Sequence, residues 1–581
     1  MKAADYIVEF FVKQQICDFF GYQGTMIAHF IDSIGKNSLA KNHSCYNEQG
    51  AAFAGCGYAK ASGKCAVVYA TSGPGAMNLL SGVADAYYDS APVVFITGQL
   101  NTYEYTSVTS LRQQGFQEAD IVAMASPITK YAVQVREADE LPKILKEAYY
   151  IANEGRKGPV LIDLPMNIQR TDIMIPEDAY DCPIQDANGI SFDRSVYNTI
   201  LNKLESAERP VLMIGNGLAG NYAFKEQLLQ FLELLQIPVV TSLPAKDLLP
   251  EDHPLNFGYI GAAYGHRYAN IIVDQKADLI LALGCSLCPR QTGQRTKEFA
   301  VKAQIIRIDL DPNELLRDIH DNDIKVEADA RDFVQFALEK LRDISWKEKT
   351  GWLQSCQKWK AKLSRFDTEC SEGRTPNKIV KAIGVSLPSK AVICSDVGQH
   401  QLWVAQSFPI KEGQRLLFSG GHGAMGFSLP AAIGGYYGTG MPAVCICGDG
   451  SFQMNIQELQ WVVREKLPIL IVVLNNRSLG LIRQQQDDFF DSNYFGATDK
   501  FGYDTPDFRR IGEAYGITSY TVDTEDELIA DIAKWDKASP LLIQYLVENT
   551  SKAYPKTYFG ERMFNQKPYI SGELMEEILS E

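Results

Sequence analysis

Short apolar runs recur along the chain, most of them ending in glycine or a polar residue, with helix-like stretches between. Ala66-Val-Val-Tyr-Ala-Thr71 ends at Ser72-Gly-Pro-Gly75, Val93-Val-Phe-Ile-Thr97 ends at Gly98, and Val160-Leu-Ile-Asp-Leu164 follows. Val211-Leu-Met-Ile214 enters Gly215-Asn-Gly217, and Leu279-Ile-Leu-Ala-Leu283 and Ile305-Ile-Arg-Ile308 repeat the pattern. Val392-Ile-Cys394, Val444-Cys-Ile-Cys447 and Leu470-Ile-Val-Val-Leu474 form a third set. Continuous apolar strands alternating with helices predict parallel sheets covered on both faces. The fold class expected is α/β, with three doubly wound parallel-sheet domains at 1–175, 193–345 and 366–550. Residues 171–192 read as a linker, 331–365 as a charged helical stretch, and 551–581 as a surface tail with a short helix.

The length of 581 residues fits three or four domains of ordinary size. With 56 Lys plus Arg against 71 Asp plus Glu, the formal charge is −15, which argues against a nucleic-acid partner. No apolar run is long enough to suggest a membrane span. The first fifteen residues place charges inside an apolar pattern and read as an amphipathic helix rather than an export signal. Twelve cysteines without disulfide-rich spacing suit reduced thiols and a cytoplasmic location.

The chemistry is most legible at Gly448-Asp449-Gly450-Ser451. From Gly450, 24 residues lead to Asn475-Asn476. Asp449 ends one buried strand and Asn476 the next, so two oxygens at neighbouring strand mouths can share one hard cation beside a diphosphate. Magnesium suits such a site, because it takes a few protein oxygens and completes its shell with phosphate and water. Gly448 and Gly450 allow the backbone to approach phosphates. In open α/β sheets, ligands bind outside the carboxyl ends of the strands.

This motif resembles the signature of the thiamine-diphosphate-dependent enzymes. The resemblance extends over nearly the whole chain and is closest to the catalytic subunit of acetolactate synthase. Asn47-Glu48-Gln-Gly-Ala-Ala52, Thr71-Ser-Gly-Pro-Gly75, Gly115-Phe-Gln-Glu-Ala-Asp120, Pro127-Ile-Thr-Lys130 and Gly158-Pro-Val-Leu-Ile-Asp-Leu-Pro165 are similar to family segments in the same order. So are Asp396-Val-Gly-Gln-His-Gln-Leu-Trp403 and Ser419-Gly-Gly-His-Gly-Ala-Met-Gly-Phe427.

The resemblance implies a role for each matching residue. Asp449, Asn476 and the Ser478 carbonyl would hold Mg²⁺. Glu48 would bond the aminopyrimidine and promote loss of the thiazolium C2 proton. Its pKa is expected to rise in an apolar pocket. Val397, Gly398, Gln399 and His400 would meet the diphosphate with Gly448, Gly450 and Ser451. Gly423 would contact the pyrimidine, Met425 would prop the bent cofactor, and Gln117 would lie near the reacting atoms.

The family's middle domain binds FAD without net redox use. Gly215, Gly217, Arg290 and Asp309 fall at matching positions, within Gly215-Asn-Gly217, Gly284-Cys-Ser-Leu-Cys-Pro-Arg290-Gln-Thr-Gly293 and Ile308-Asp309-Leu-Asp311. ADP or an empty domain are the alternatives. Cys285-x-x-Cys288 lacks a second pair and reads as two incidental cysteines.

The implied activity decarboxylates pyruvate and transfers the two-carbon unit to a second 2-oxo acid, forming 2-acetolactate. The site would lie between subunits of a homodimer or homotetramer, with a regulatory subunit as a further partner. Four positions depart from the family: Thr25 stands for glycine, Arg477-Ser478 for Gln-His, and Gln485 for an acceptor-pocket tryptophan. A polar acceptor pocket suits a hydroxylated substrate. The alternatives are therefore a keto-sugar acceptor giving a branched-chain sugar, a pyruvate-oxidase-like reaction, or simple 2-oxo acid decarboxylation. A non-catalytic subunit is disfavoured by the retained Glu48, Asp449 and Asn476.

Overall fold

The computed structural model describes residues 1–581 except 107, 109, 183–193, 220–221, 344–345 and 370–374. The second part of the expected linker, 183–192, thus lies outside the described residues. The chain builds three six-stranded sheets, each parallel throughout and flanked by helices.

The first sheet holds β1 (Asp18–Gly21), β2 (Lys41–Ser44), β3 (Ala66–Ala70), β4 (Val93–Gln99), β5 (Tyr131–Gln134) and β6 (Val160–Pro165). Its order is β2-β1-β3-β4-β6-β5. The second holds β7 (Pro210–Ile214), β8 (Val239–Thr241), β9 (Asn256–Tyr259), β10 (Leu279–Leu283), β11 (Gln304–Asp309) and β12 (Ile324–Glu327). Its order, β12-β11-β10-β7-β8-β9, places the two halves about a switch point between β7 and β10. That is the strand order of dinucleotide-binding doubly wound sheets. The third holds β13 (Val392–Ser395), β14 (Arg415–Phe418), β15 (Ala443–Gly448), β16 (Ile469–Asn475), β17 (Thr518–Val522) and β18 (Leu541–Leu546). Its order, β14-β13-β15-β16-β18-β17, repeats that of the first sheet.

The first and third domains share one apolar core, which runs from Phe20 through Ala54, Val68 and Ala431 to Leu542. Helix Glu48–Ser62 packs against helix Ser428–Thr439 at its centre. The central domain has cores of its own. Segment 551–581, expected as a surface tail, is strapped to that domain. Met563, Ile570 and Ile578 are buried there, and the buried Arg267 guanidinium donates to the Gln566 and Pro568 carbonyls. Among the described residues no helix is long and apolar enough to cross a membrane.

Candidate active site

β15 and β16 lie side by side, with Gly448 in register with Leu474. Asp449 opens the short helix that follows β15 and is 3% exposed. Its Oδ1 accepts from the Gly450 amide at 2.7 Å and the Tyr503 hydroxyl at 3.2 Å. Its Oδ2 accepts from the Ser478 amide at 3.2 Å. Asn476 Oδ1 accepts from the same amide at 3.1 Å. Two side chains from adjacent strand ends thus converge on one backbone group. Burial lifts the Asp449 carboxyl to about 6, against the pull of these donors. Asn475 is tied down elsewhere: its side chain donates to Gln544 and accepts from the Arg477 amide.

The loop after β13 completes the cradle. Asp396 accepts from the amides of Val397, Gly426 and Ser428 and from the Ser428 hydroxyl, binding loop 397–400 to loop 423–428. Sequence reasoning gave it no role. The His400 ring lies between two glycines. A methyl group at Gly398 would come within 2.7 Å of it and one at Gly448 within 2.8 Å. Burial drives the His400 pKa down to about 3, so the ring is neutral near pH 7. His400 Nε2 and Ser478 Oγ are buried without a protein partner. Such orphaned atoms are rare in folded proteins, and here they adjoin the glycine-lined strand ends. Gln399 spans outward, donating to Gln484 and to the Ser551 carbonyl and accepting from Asn476 Nδ2. Ser451 is spent internally, its hydroxyl joined to the Gly448 backbone. Gly423 has φ +70° and open space at its Cα, while the Met425 methyl lies over Gly450. Among the described residues no cluster of three His, Cys, Asp or Glu could hold a metal. Asp449 and Asn476 instead bring one carboxylate and one carboxamide side by side.

Glu48 is the first residue of helix Glu48–Ser62, behind the cap Asn47. It is 8% exposed, and its Oε2 accepts from Asn78 at 3.0 Å. Its Oε1 faces Gly75, where a methyl group would come within 3.0 Å. Gln117 has φ +60°, and its carbonyl presses on Gly73, which no side chain could replace. The loop with Gln117 therefore joins the Thr71–Gly75 loop. Within one chain no hydrogen bond links Glu48 to the Asp449 set among the described residues. Of the departing positions Thr25, Arg477 and Gln485 are exposed, and Ser478 is buried.

In the central domain Gly215, Gly217 and Gly284 meet at the switch point between β7 and β10. A methyl group at Gly215 would overlap the Gly284 carbonyl at 1.9 Å. Asp309 ends the neighbouring β11, accepts from the Asp311 amide at 2.9 Å, and has its pKa raised by burial. Arg290 is exposed and donates to the Gly420 carbonyl of the third domain at 2.9 Å. Cys285 is buried beside Gln291 with its thiol pushed up to about 12, and Cys288 is free.

Three family models match the chain. They are described as the N-terminal TPP binding domain of thiamine pyrophosphate enzymes at residues 1–124, the central domain at 197–336 and the C-terminal TPP binding domain at 396–545. The chain is similar to acetolactate synthase 1, chloroplastic, of Zea mays, with 35% identity over 95% of this chain and 86% of that protein. It is 33% identical to the acetolactate synthase isozyme 2 large subunit of Escherichia coli (strain K12), over 96% of this chain and 97% of that one. Identity to the acetolactate synthase large subunit of Lactococcus lactis is 35%, over 92% and 91%.

Proposed function

The chain belongs to the acetolactate synthase large-subunit family of thiamine pyrophosphate enzymes, and from that premise we propose how its residues divide the work. It is a thiamine-diphosphate-dependent carboligase that forms 2-acetolactate from pyruvate. The observation that carries the assignment of residues is the convergence of Asp449 and Asn476 on the Ser478 amide, beside the orphaned His400 and Ser478 side chains.

Asp449, Asn476 and the Ser478 carbonyl would hold Mg²⁺, which suits a small oxygen set completed by phosphate and water. Val397, Gly398, Gln399 and His400 would line the diphosphate, with neutral His400 presenting Nε2. Bound thiamine diphosphate supplies a nucleophilic carbon and an electron sink for the leaving carboxylate. Glu48 would present its carboxyl to the aminopyrimidine, and the hydrogen bond from Asn78 holds that carboxyl in place. Gly423 leaves room for the ring, and Met425 supplies an apolar wall. Gln117, beside Gly73, faces the substrate side.

Glu48 and Asp449 share no bond within one chain, and Phe116, Met454 and Phe495 are exposed at 78%, 53% and 69%. Both facts support completion of the site by a second copy of the chain. FAD would occupy the central domain, supported by its strand order and by the glycines at its switch point. The described cysteines are all free, which supports a reducing compartment such as the cytoplasm. The exposed polar Gln485 favours a second reading, in which a keto-sugar competes with pyruvate as acceptor.

NMR of protein supplied with thiamine diphosphate, Mg²⁺, FAD and ¹³C-pyruvate tests the function. The expected result is 2-acetolactate and CO₂. Pyruvate left intact, or converted only to acetaldehyde, would defeat the acceptor assignment and move the test to keto-sugars.

A further inference from the structure

The first and third domains have the same strand order and meet through equivalent elements. Helix Glu48–Ser62 follows β2, and helix Ser428–Thr439 follows β14. Their backbones touch. A methyl group at Gly57 would come within 2.2 Å of the Ala431 carbonyl, and one at Gly434 within 1.8 Å of the Ala54 carbonyl. Each helix is preceded by a loop that carries site residues, and each loop is held by a carboxylate from the opposite domain.

Glu458 comes from the segment after β15 and is 0% exposed. It accepts from the Tyr46 amide at 3.1 Å and the Asn47 amide at 3.0 Å, the two residues before Glu48. Its Oε1 also crowds Gly50, where a methyl group would come within 2.6 Å. Asn455, one turn earlier, donates to both Gln49 and the Gly426 carbonyl.

Asp89 follows the helix after β3 and plays the same part in reverse. It accepts from the Gly420 amide at 2.9 Å and the Gly421 amide at 2.7 Å. Asp85 beside it accepts from the Ser419 hydroxyl, which in turn accepts from the Ala424 amide. Lys60 bridges Asp85 and Asp89 at 2.7 Å each and donates to the Phe418 carbonyl. At Gly421 a side chain would strike Tyr88 at 2.6 Å, so the loop can lie this close only as glycine.

We propose that Glu458 and Asp89 are reciprocal positioning residues: Glu458 sets the helix start that presents Glu48, and Asp89, with Lys60 and Asp85, sets the loop that presents Gly423 and Met425. Glu458 reaches its loop through the Tyr46 and Asn47 amides, and Asp89 reaches its own through the Gly420 and Gly421 amides. The inference rests on the roles assigned above to Glu48 and loop 423–425. It adds that each domain aligns the other's contribution, so a carboxylate lost on one side disturbs the loop on the other.

The test uses Glu458→Gln and Asp89→Asn in the full chain. Amide hydrogen exchange of the protein without cofactor is read by mass spectrometry, and thiamine diphosphate is titrated by tryptophan fluorescence. Glu458→Gln should speed exchange in 45–50 at least about tenfold and leave 419–427 unchanged. It should lower kcat about 10- to 100-fold, because small misplacements of a proton-handling group are costly, with pyruvate KM and cofactor affinity nearly parental. Asp89→Asn should do the converse, with faster exchange in 419–427 and cofactor affinity down about tenfold. Should either variant fail to fold, Glu458→Asp or Asp89→Glu, which keep the charge and change the reach, replace it. Parental exchange and kinetics in both variants would overturn the proposal. So would a uniform loss in both loops, which marks a merely structural contact. Failure of the underlying reading shows separately, as a Glu48→Gln variant with unchanged turnover.

Discussion

The cradle in the third domain and the switch point in the central domain are both built at the carboxyl ends of parallel strands, yet they are finished differently. Around Asp449 the glycines make room for side chains, and buried polar atoms of His400 and Ser478 are left without partners. At the switch point Gly215 and Gly217 are occupied by Gly284, so the loops fill one another. A site that must hold charged groups in fixed geometry keeps unsatisfied atoms in waiting. The switch point offers mainly backbone, and it is marked by its strand order and its close-packed glycines.

The largest effect that would sharpen this contrast is expected from Glu48→Gln. It should lower turnover about 10²- to 10⁴-fold, as for loss of a proton-transfer group, while cofactor titration stays close to parental. Next comes Gly215→Ala. Its methyl overlaps the Gly284 carbonyl, so it should cost about 1–3 kcal/mol in urea denaturation and strip flavin absorbance, yet spare thiamine diphosphate binding. Loss of thiamine diphosphate binding with flavin retained would break the comparison. His400→Asn should weaken cofactor affinity about tenfold, the value of one good hydrogen bond of about 1.4 kcal/mol, in a fluorescence titration.

The smallest effect concerns pH. Burial lifts Glu458 from the ordinary 4.5 to about 7, partly opposed by the Tyr46 and Asn47 amides, Gln457 and Arg464, with the Cys45 thiol nearby. The folded state therefore binds the extra proton between those values. The contribution of Glu458 is fully present below about pH 4.5 and is lost as pH rises through about 7. Glu458→Gln should flatten this slope, which is at most about 1.4 kcal/mol per pH unit, in denaturation curves across that window. An unchanged slope would show that Glu458 is not the group responsible.

The sequence made the middle of each sheet legible. The nine strands it predicts form three adjacent strands in every sheet: β3, β4 and β6; β11, β10 and β7; β13, β15 and β16. All are apolar because both faces are covered. Edge strands such as β2 (Lys41–Ser44) and β12 (Ile324–Glu327) carry polar residues toward solvent and leave no such run. The convergence of Asp449 and Asn476 was readable because their spacing is local to two neighbouring strands. Asp396, Tyr503, Glu458 and Asp89 were not. Their partners are mostly backbone amides, up to 412 residues distant, and an amide has no letter in a sequence. The C-terminal segment was misread for the same reason, since the carbonyls that hold it to Arg267 carry no residue identity.

The contact between helices Glu48–Ser62 and Ser428–Thr439 also sets how the molecule comes apart. Gly57 and Gly434 bring the two backbones together inside a core owned by neither domain alone. Residues 1–175 expressed without their distant counterpart would keep a second core of their own but expose half of the shared one, and so should lose much of their stability. The central domain, with cores of its own, can melt independently. A scanning calorimeter should accordingly record two heat-absorption events from this three-sheet chain: the first and third sheets lose their structure together, as a single cooperative unit interrupted in sequence by a separate one.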